Sequence, residues 1–372
     1  MMGVNSGVRR VVPLTLGWVD VPKSVSVHGA SGEMLREPVP AVALDCDGGW
    51  LLLDTGFNTA LIRDPALRAR FHPGPVEQPV LPGPGEPLLT ALGASGLDLA
   101  DIRAVAISHL HYDHAGGLKH VAGRVPVHIQ RAELAYGLSS PPGPEENGIF
   151  RVDFDDPRID WRQADGDTEI APGVTAVRTA GHTPGHQSFV VRMAAGGGFV
   201  FAFDAADLTE NIDREVAVGG RIGASAADSV GQIRKLKRIA ADQGYRLVPG
   251  HDPDVWPALT AELAWLSGET LDDPVGRGHR QHLAGTEPSR GQQCVILGAG
   301  PFQPTRQDQH VQVADQHRHG RRRVVRDQPL DDQHAAARGH RPAAIGQDLP
   351  GLVVVPVVQH VGHQVGVRAG RD

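Results

Sequence analysis

Over the first 275 residues, short apolar runs of strand length alternate with segments of helical period. "VVPLTLGWV" (11–19), "WLLLDTG" (50–56), "IRAVAIS" (102–108) and "VPVHIQ" (125–130) predict strands, the last followed by a short helix "RAELAYGLS" (131–139). "FVVRM" (189–193) and "FVFAFD" (199–204) are rich in Val and Phe and are joined by a glycine-rich link, as in a hairpin. Residues 225–243 place Val230, Ile233, Leu236 and Ile239 at helical spacing. "YRLVPGHD" (245–252) predicts a last strand and "VWPALTAELAWL" (255–266) a last helix. The Pro/Gly-rich stretch 71–87 predicts a surface loop placed to cover a site. Mixed strands alternating with helices imply an α/β protein whose sheets are covered by helices.

Neither period continues beyond about residue 275. Residues 276–372 contain no Lys, Met, Tyr or Trp, yet hold 9 of the 19 His. Their single apolar run, "LPGLVVVPVVQH", is broken by Pro356. This text resembles a GC-rich gene read out of frame. The expectation is therefore a 1–275 domain and a 276–372 tail that is poorly ordered or out of frame. The alternative is a His-rich metal-binding tail, which the scattered spacing of its histidines disfavours.

The tail carries 13 Arg against 8 acidic residues, so the chain's net charge of −7 leaves the first 275 residues near −12. An acidic body of this kind argues against nucleic acid as a partner. No apolar run reaches the length of a membrane span. The N-terminal apolar run is interrupted by Pro13 and Thr15, followed by Asp20, and has no small-residue cleavage site. It is expected to be a first strand of a cytoplasmic protein. Two cysteines, Cys46 and Cys294, exclude a disulfide framework and a cysteine zinc cluster.

The stretch "AISHLHYDHAGGLKH" (106–120) crowds His109, His111, Asp113 and His114 into six positions at the end of an apolar run. His109 and His111 alternate along extended backbone and can face one side. Asp113 and His114 follow where strand turns to helix, so they can diverge and serve a second ion. A bland alternative is a solvated polar loop in which Asp113 caps the helix beginning at Ala115. His182, Asp204 and His251 each follow a predicted strand, at gaps of 68, 22 and 47 residues from His114 onward. A lone strand-end Asp is usually a turn former. Several strand ends supplying metal-ligand types are hard to obtain by chance.

The order H-x-H-x-D-H, then His, Asp and His, resembles the metallo-β-lactamase superfamily. The words "LLLDTGFN", "SHLHYDHAGG", "TAGHTPGHQS", "DAADLTEN" and "GHD" are similar to those of its quorum-quenching branch, the N-acyl homoserine lactonases. The likeness runs from about residue 10 to residue 268. It implies an αββα sandwich of two mixed sheets covered by helices. It also implies two divalent metal ions, Zn²⁺ by default, although Fe, Mn and Co suit such N/O donors. His109, His111 and His182 would hold one ion, Asp113, His114 and His251 the other, and Asp204 would bridge them. Asp54 would orient ligating groups. His186 would support the His182 loop, and His120 would lie at the surface. The implied activity is opening of a small-molecule lactone by a metal-activated hydroxide, with Asp113, Asp204 and Asp207 as the catalytic carboxylates.

Other two-metal hydrolases of this fold act on thioesters, phosphoesters or organophosphates. A last helix without Lys disfavours a glutathione thioester, and a β-lactamase would lack the bridging Asp. A non-catalytic metal-binding protein is disfavoured because all seven ligand positions are filled. One departure stands out. The lactonase pattern usually has a tyrosine three positions after the bridging Asp, and this chain has Asp207 there. A phenol donates a hydrogen bond at pH 7, whereas an exposed carboxylate only accepts; the expectation is a slow lactonase in which the metals alone polarise the carbonyl, the alternatives being an Asp207 kept protonated by burial or a substrate other than an acyl homoserine lactone. Losing such a donor costs on the order of 3 kcal/mol, about a hundredfold in rate.

Overall fold

The computed structural model describes residues 7–74, 76–139 and 143–266. The expectation for the 276–372 tail lies outside the described residues, as does Cys294.

Among the described residues twelve strands form two sheets. The first holds β1 (Arg10–Pro22), β2 (Met34–Cys46), β3 (Gly49–Leu53), β4 (Gln78–Val80), β5 (Ile102–Ala106), β6 (Pro126–Gln130) and β7 (Asp160–Ala164) in the order β4-β1-β2-β3-β5-β6-β7. The second holds β8 (Thr168–Ala171), β9 (Val174–Arg178), β10 (Gln187–Arg192), β11 (Gly198–Phe201) and β12 (Arg246–Val248) in the order β12-β11-β10-β9-β8. Both sheets are mixed: β3, β5, β6 and β7 run parallel, as do β11 and β12, and the remaining pairs are antiparallel.

Alternation along the strands divides the core into layers. Val42, Leu44, Leu51 and Leu53 point at Phe189, Val191 and Phe201 across the space between the sheets, where Trp256 also packs. Ala41, Ala43 and Leu52 face the opposite way, against Leu61, Leu88 and Leu92 from the helical side. On the second sheet Val177, Val190 and Val200 turn outward onto Ile233, Leu236 and Ala240 of the helix Ala226–Gln243. Helix, sheet, sheet, helix is the αββα arrangement.

The predicted strands and the hairpin are present. β2 escapes the sequence pattern because Glu37, Pro38 and Pro40 interrupt its apolar run, although residues 37–44 are all buried. The loop 71–87 contributes β4, which pairs antiparallel with β1. In the helix Ala226–Gln243 the inner positions are Ser229, Ile233, Leu236 and Ala240, while Val230 and Ile239 are half-buried. Small Ser229 sits inside because the Gly181 turn packs on it: a Cβ on Gly181 would come within 3.1 Å of the Ser229 Cα.

Candidate metal centre

The chemistry-bearing residues lie at strand ends on one rim. Asp54 follows β3, His109 to His114 follow β5, and His182 lies between β9 and β10. Asp204 follows β11 and His251 follows β12. Asp204 is not the end of its strand as expected: β11 stops at Phe201, and Asp204 sits on the short helical turn Phe203–Ala205. The turn Tyr112–Ala115 begins with His111 at its N-cap, without a side-chain cap, so Asp113 lies within the turn and does not cap it.

The two glycines after His114 explain how this turn is seated. Thr55 N and Oγ1 both donate to His114 O, each at 2.8 Å. A Cβ on Gly116 would lie 2.1 Å from Asn58 N, and one on Gly117 2.2 Å from Thr55 O. Any side chain there would push the β3 turn away from the histidine turn.

The side chains form two groups whose donor atoms lie within 4.8 Å of one another: His109, His111, His182 and Asp204, then Asp113, His114 and His251. His111 Nδ1 lies 2.9 Å from both His109 Nε2 and His182 Nε2. Asp204 spans the groups. Its Oδ2 is 3.4 Å from His182 Nε2 and 3.6 Å from His109 Nε2, and its Oδ1 is 3.1 Å from His251 Nε2 and 3.3 Å from His114 Nε2.

Hydrogen bonds behind the rings decide which nitrogens face inward bare. Asp54 accepts from Ser108 N at 2.6 Å, Ser108 Oγ at 2.7 Å and His114 Nδ1 at 2.7 Å. With its hydroxyl hydrogen directed at Asp54, Ser108 Oγ accepts from His109 Nδ1 at 2.9 Å. His251 Nδ1 donates to Pro38 O at 2.9 Å. Each of these rings therefore donates from Nδ1 and directs Nε2 toward Asp204. His114 Nε2 makes no hydrogen bond although carboxylate oxygens flank it. Ring nitrogens and carboxylate oxygens converging on common points fit divalent cations.

The electrostatics agree. Burial, reinforced by the neighbouring His114, holds His109 well below the usual imidazole range; burial with His111 does the same to His182. Burial also opposes charge on His251, but Asp204 overrides it and raises that ring to about 10; His114 is likewise raised by Asp204, Asp113 and Asp54. These protons occupy the positions that a cation's charge would fill. Despite burial, His114 and His251 hold Asp113 at about 2.

Asp207 is 4 % exposed, so it is not the exposed carboxylate that the sequence suggested. Burial and the charge of Asp204 push its carboxyl well above the usual range. His186 is buried beside the His182 loop, its Nδ1 2.9 Å from Thr179 Oγ1. His120 is half-buried and pairs with Glu86 at 3.1 Å, away from both groups.

Three residues of the site escape sequence reasoning. Ser108, the relay to His109, has only its adjacency to the histidine as a signal. Buried Glu133 accepts from Leu110 N (3.0 Å), Thr183 Oγ1 (2.7 Å) and Gly185 N (2.9 Å). It thereby ties the peptide between His109 and His111 to the turn after His182, yet in the sequence it is an ordinary helix Glu. Glu37, raised to about 7 by burial, accepts from Ser26 Oγ at 2.6 Å and reaches the site from a strand with no metal-ligand pattern.

A cavity of ≈ 240 Å³ opens over the two groups. Asp113, Asp204, His251, Glu37 and Asp207 line it together with the apolar Val25 and Ile222.

A model of the family described as Metallo-beta-lactamase superfamily matches residues 36–251. The chain is 32 % identical over 248 residues to the N-acyl homoserine lactonase AttM of Azorhizobium caulinodans, covering 63 % of this chain and 90 % of that one. It is 30 % identical over 231 residues to the N-acyl homoserine lactonase AiiA of Bacillus thuringiensis subsp. kurstaki, covering 62 % and 87 %. In fold it matches a crystal structure of B. thuringiensis AiiA with N-decanoyl-L-homoserine bound at the active site, at a TM-score of 0.60 and 24 % identity, covering 68 % of this chain and 96 % of that one.

Proposed function

This chain belongs to the metallo-β-lactamase superfamily, and from that premise we propose that it is a two-metal hydrolase opening the lactone ring of N-acyl homoserine lactones. The observation that carries the reading is Asp204, whose Oδ2 faces one histidine group and whose Oδ1 faces the other. The names of the AttM and AiiA relatives support the substrate class.

His109, His111 and His182 would hold one ion, Asp113, His114 and His251 the other, with Asp204 shared. Zn²⁺ is the ion best suited to this N/O set. When bound, such ions polarise an ester carbonyl and bring water ionisation toward neutral pH. Asp54 keeps the hydrogen of His114 on Nδ1 and, through Ser108, that of His109. Pro38 O does the same for His251. Asp113 lines the cavity, and this reading assigns it the transfer of a proton from the attacking water to the ring oxygen that leaves. Val25 and Ile222 offer an apolar surface to an acyl chain.

The net charge near −12 of the first 275 residues disfavours a polyanionic substrate. Nucleic acid is disfavoured on the same ground. Among the described residues no helix is long and apolar enough to cross a membrane. A cytoplasmic location belongs to this reading; among the described residues Cys46 is buried and has no disulfide partner.

The test is a hydrolysis panel on the purified chain: homoserine lactones of several acyl lengths, a thioester and a phosphotriester. Fastest turnover of a homoserine lactone, abolished by His109→Ala together with loss of bound metal, is expected. Preference for the phosphotriester, or full turnover by metal-free His109→Ala, would overturn the proposal.

A further inference from the structure

The geometry points to Asp207 as an additional ligand of the ion assigned to Asp113, His114 and His251, making that half of the centre richer in carboxylate oxygen. The inference rests on the reading of the two donor groups as metal sites and extends it to a residue outside the seven.

Three observations carry it. A carboxylate oxygen of Asp207, one of Asp204 and a ring nitrogen of His251 all lie within 4.8 Å of one another. Asp207 lines the cavity and is 96 % buried, yet its Oδ1 has no hydrogen-bond partner. Its position is set by backbone: His251 N donates to Asp207 O at 2.7 Å, and Gly250 N to Ala206 O at 2.8 Å. This pair of bonds zips the segment after Asp204 to the segment bearing His251, so the carboxylate is delivered to the ligand group by the same contacts that hold His251.

The groups around it do not account for a buried carboxylate. Asp204 and Glu37 repel it, and the facing imidazoles, His251 and His114, already direct their nitrogens to Asp204 and Asp113. Buried charges are paired or coordinate metal, and a cation shared with His251 supplies the partner that the protein does not. The usual tyrosine at this position would present a neutral phenol; a carboxylate adds a hard, anionic oxygen. Such a donor favours a harder ion such as Mn²⁺ relative to sites built mainly of imidazole.

The full chain, stripped of metal, is titrated with Zn²⁺ and with Co²⁺ against a chelator, beside Asp207→Asn and Asp207→Ser, with far-UV circular dichroism as the check on folding. Asn keeps the shape of Asp and removes the charge. The parent should bind two ions, and both variants should hold one of them about tenfold or more weakly. Their Co²⁺ visible bands should intensify, because Co²⁺ absorbs more strongly at lower coordination number. If the parent binds two ions and folded variants match its affinities and spectrum, Asp207 is not a ligand and the reading of the other seven residues stands. A parent that binds no ion overturns both.

Discussion

Asp54 Oδ2 and His114 Nδ1 lie 2.7 Å apart, and neither side chain has any exposure. Asp54 adopts a left-handed backbone, φ 58°, to reach this position. Asn tolerates that conformation better than Ala does. Asp54→Asn should therefore fold while lowering metal affinity about 10- to 100-fold, read by chelator competition. Asp54→Ala adds backbone strain of about 1 kcal/mol and should melt lower than Asp54→Asn. Unchanged metal affinity in Asp54→Asn would remove its assigned role.

Glu133 links two ligand-bearing turns through three accepted hydrogen bonds. Glu133→Ala leaves three buried donors unpaired, at about 1–3 kcal/mol each. Glu133→Gln keeps part of the acceptance and should fall between Ala and the parent in unfolding free energy. The ion assigned to His109, His111 and His182 should be lost first. Metal stoichiometry after dialysis tests this; equal loss from both groups would argue for general destabilisation.

Asp153 carries a pH signature away from the metal groups. Burial raises its carboxyl from 3.8 to about 7, against one hydrogen bond from Asn58 Nδ2 at 2.8 Å. Between those values the folded chain holds a proton that the unfolded chain releases. Its contribution to stability therefore falls as pH rises from about 4 to 7 and is lowest above 7. Asp153→Asn removes the ionisation, so its stability relative to the parent should rise by a few kcal/mol across that window. Urea unfolding at pH 5 and pH 8 measures it, and an equal difference at both pH values would refute it.

We propose that residues 276–372 serve neither the fold nor the site. The family match ends at residue 251, and among the described residues the last strand ends at Val248 and the last candidate ligand is His251. A chain truncated after Asp273 should keep its metal content, melting temperature and turnover. Loss of any of these would make the tail structural.

Local sequence determines much of this protein. Short apolar runs specify β1, β3, β5 and β10, because strands enclosed between layers need apolar side chains along most of their length. The spacing of His109, His111, Asp113 and His114 follows from which way successive side chains point along a strand and into a turn, which is a local property. The αββα class and the superfamily are legible through the resemblance that these motifs carry. Tertiary structure alone decides what depends on chain segments far apart in sequence. Glu133 reads as an ordinary helix residue until Leu110, Thr183 and Gly185 close around it. Asp207 reads as an exposed acid until the backbone bond from His251 draws it into the site. Ser229 takes an inner helix position that periodicity gives to a larger neighbour, because the Gly181 turn leaves room only for a small side chain. Burial and partners at such positions come from packing between distant segments, and packing is what turns a carboxylate from a solvated charge into an anchor or a ligand.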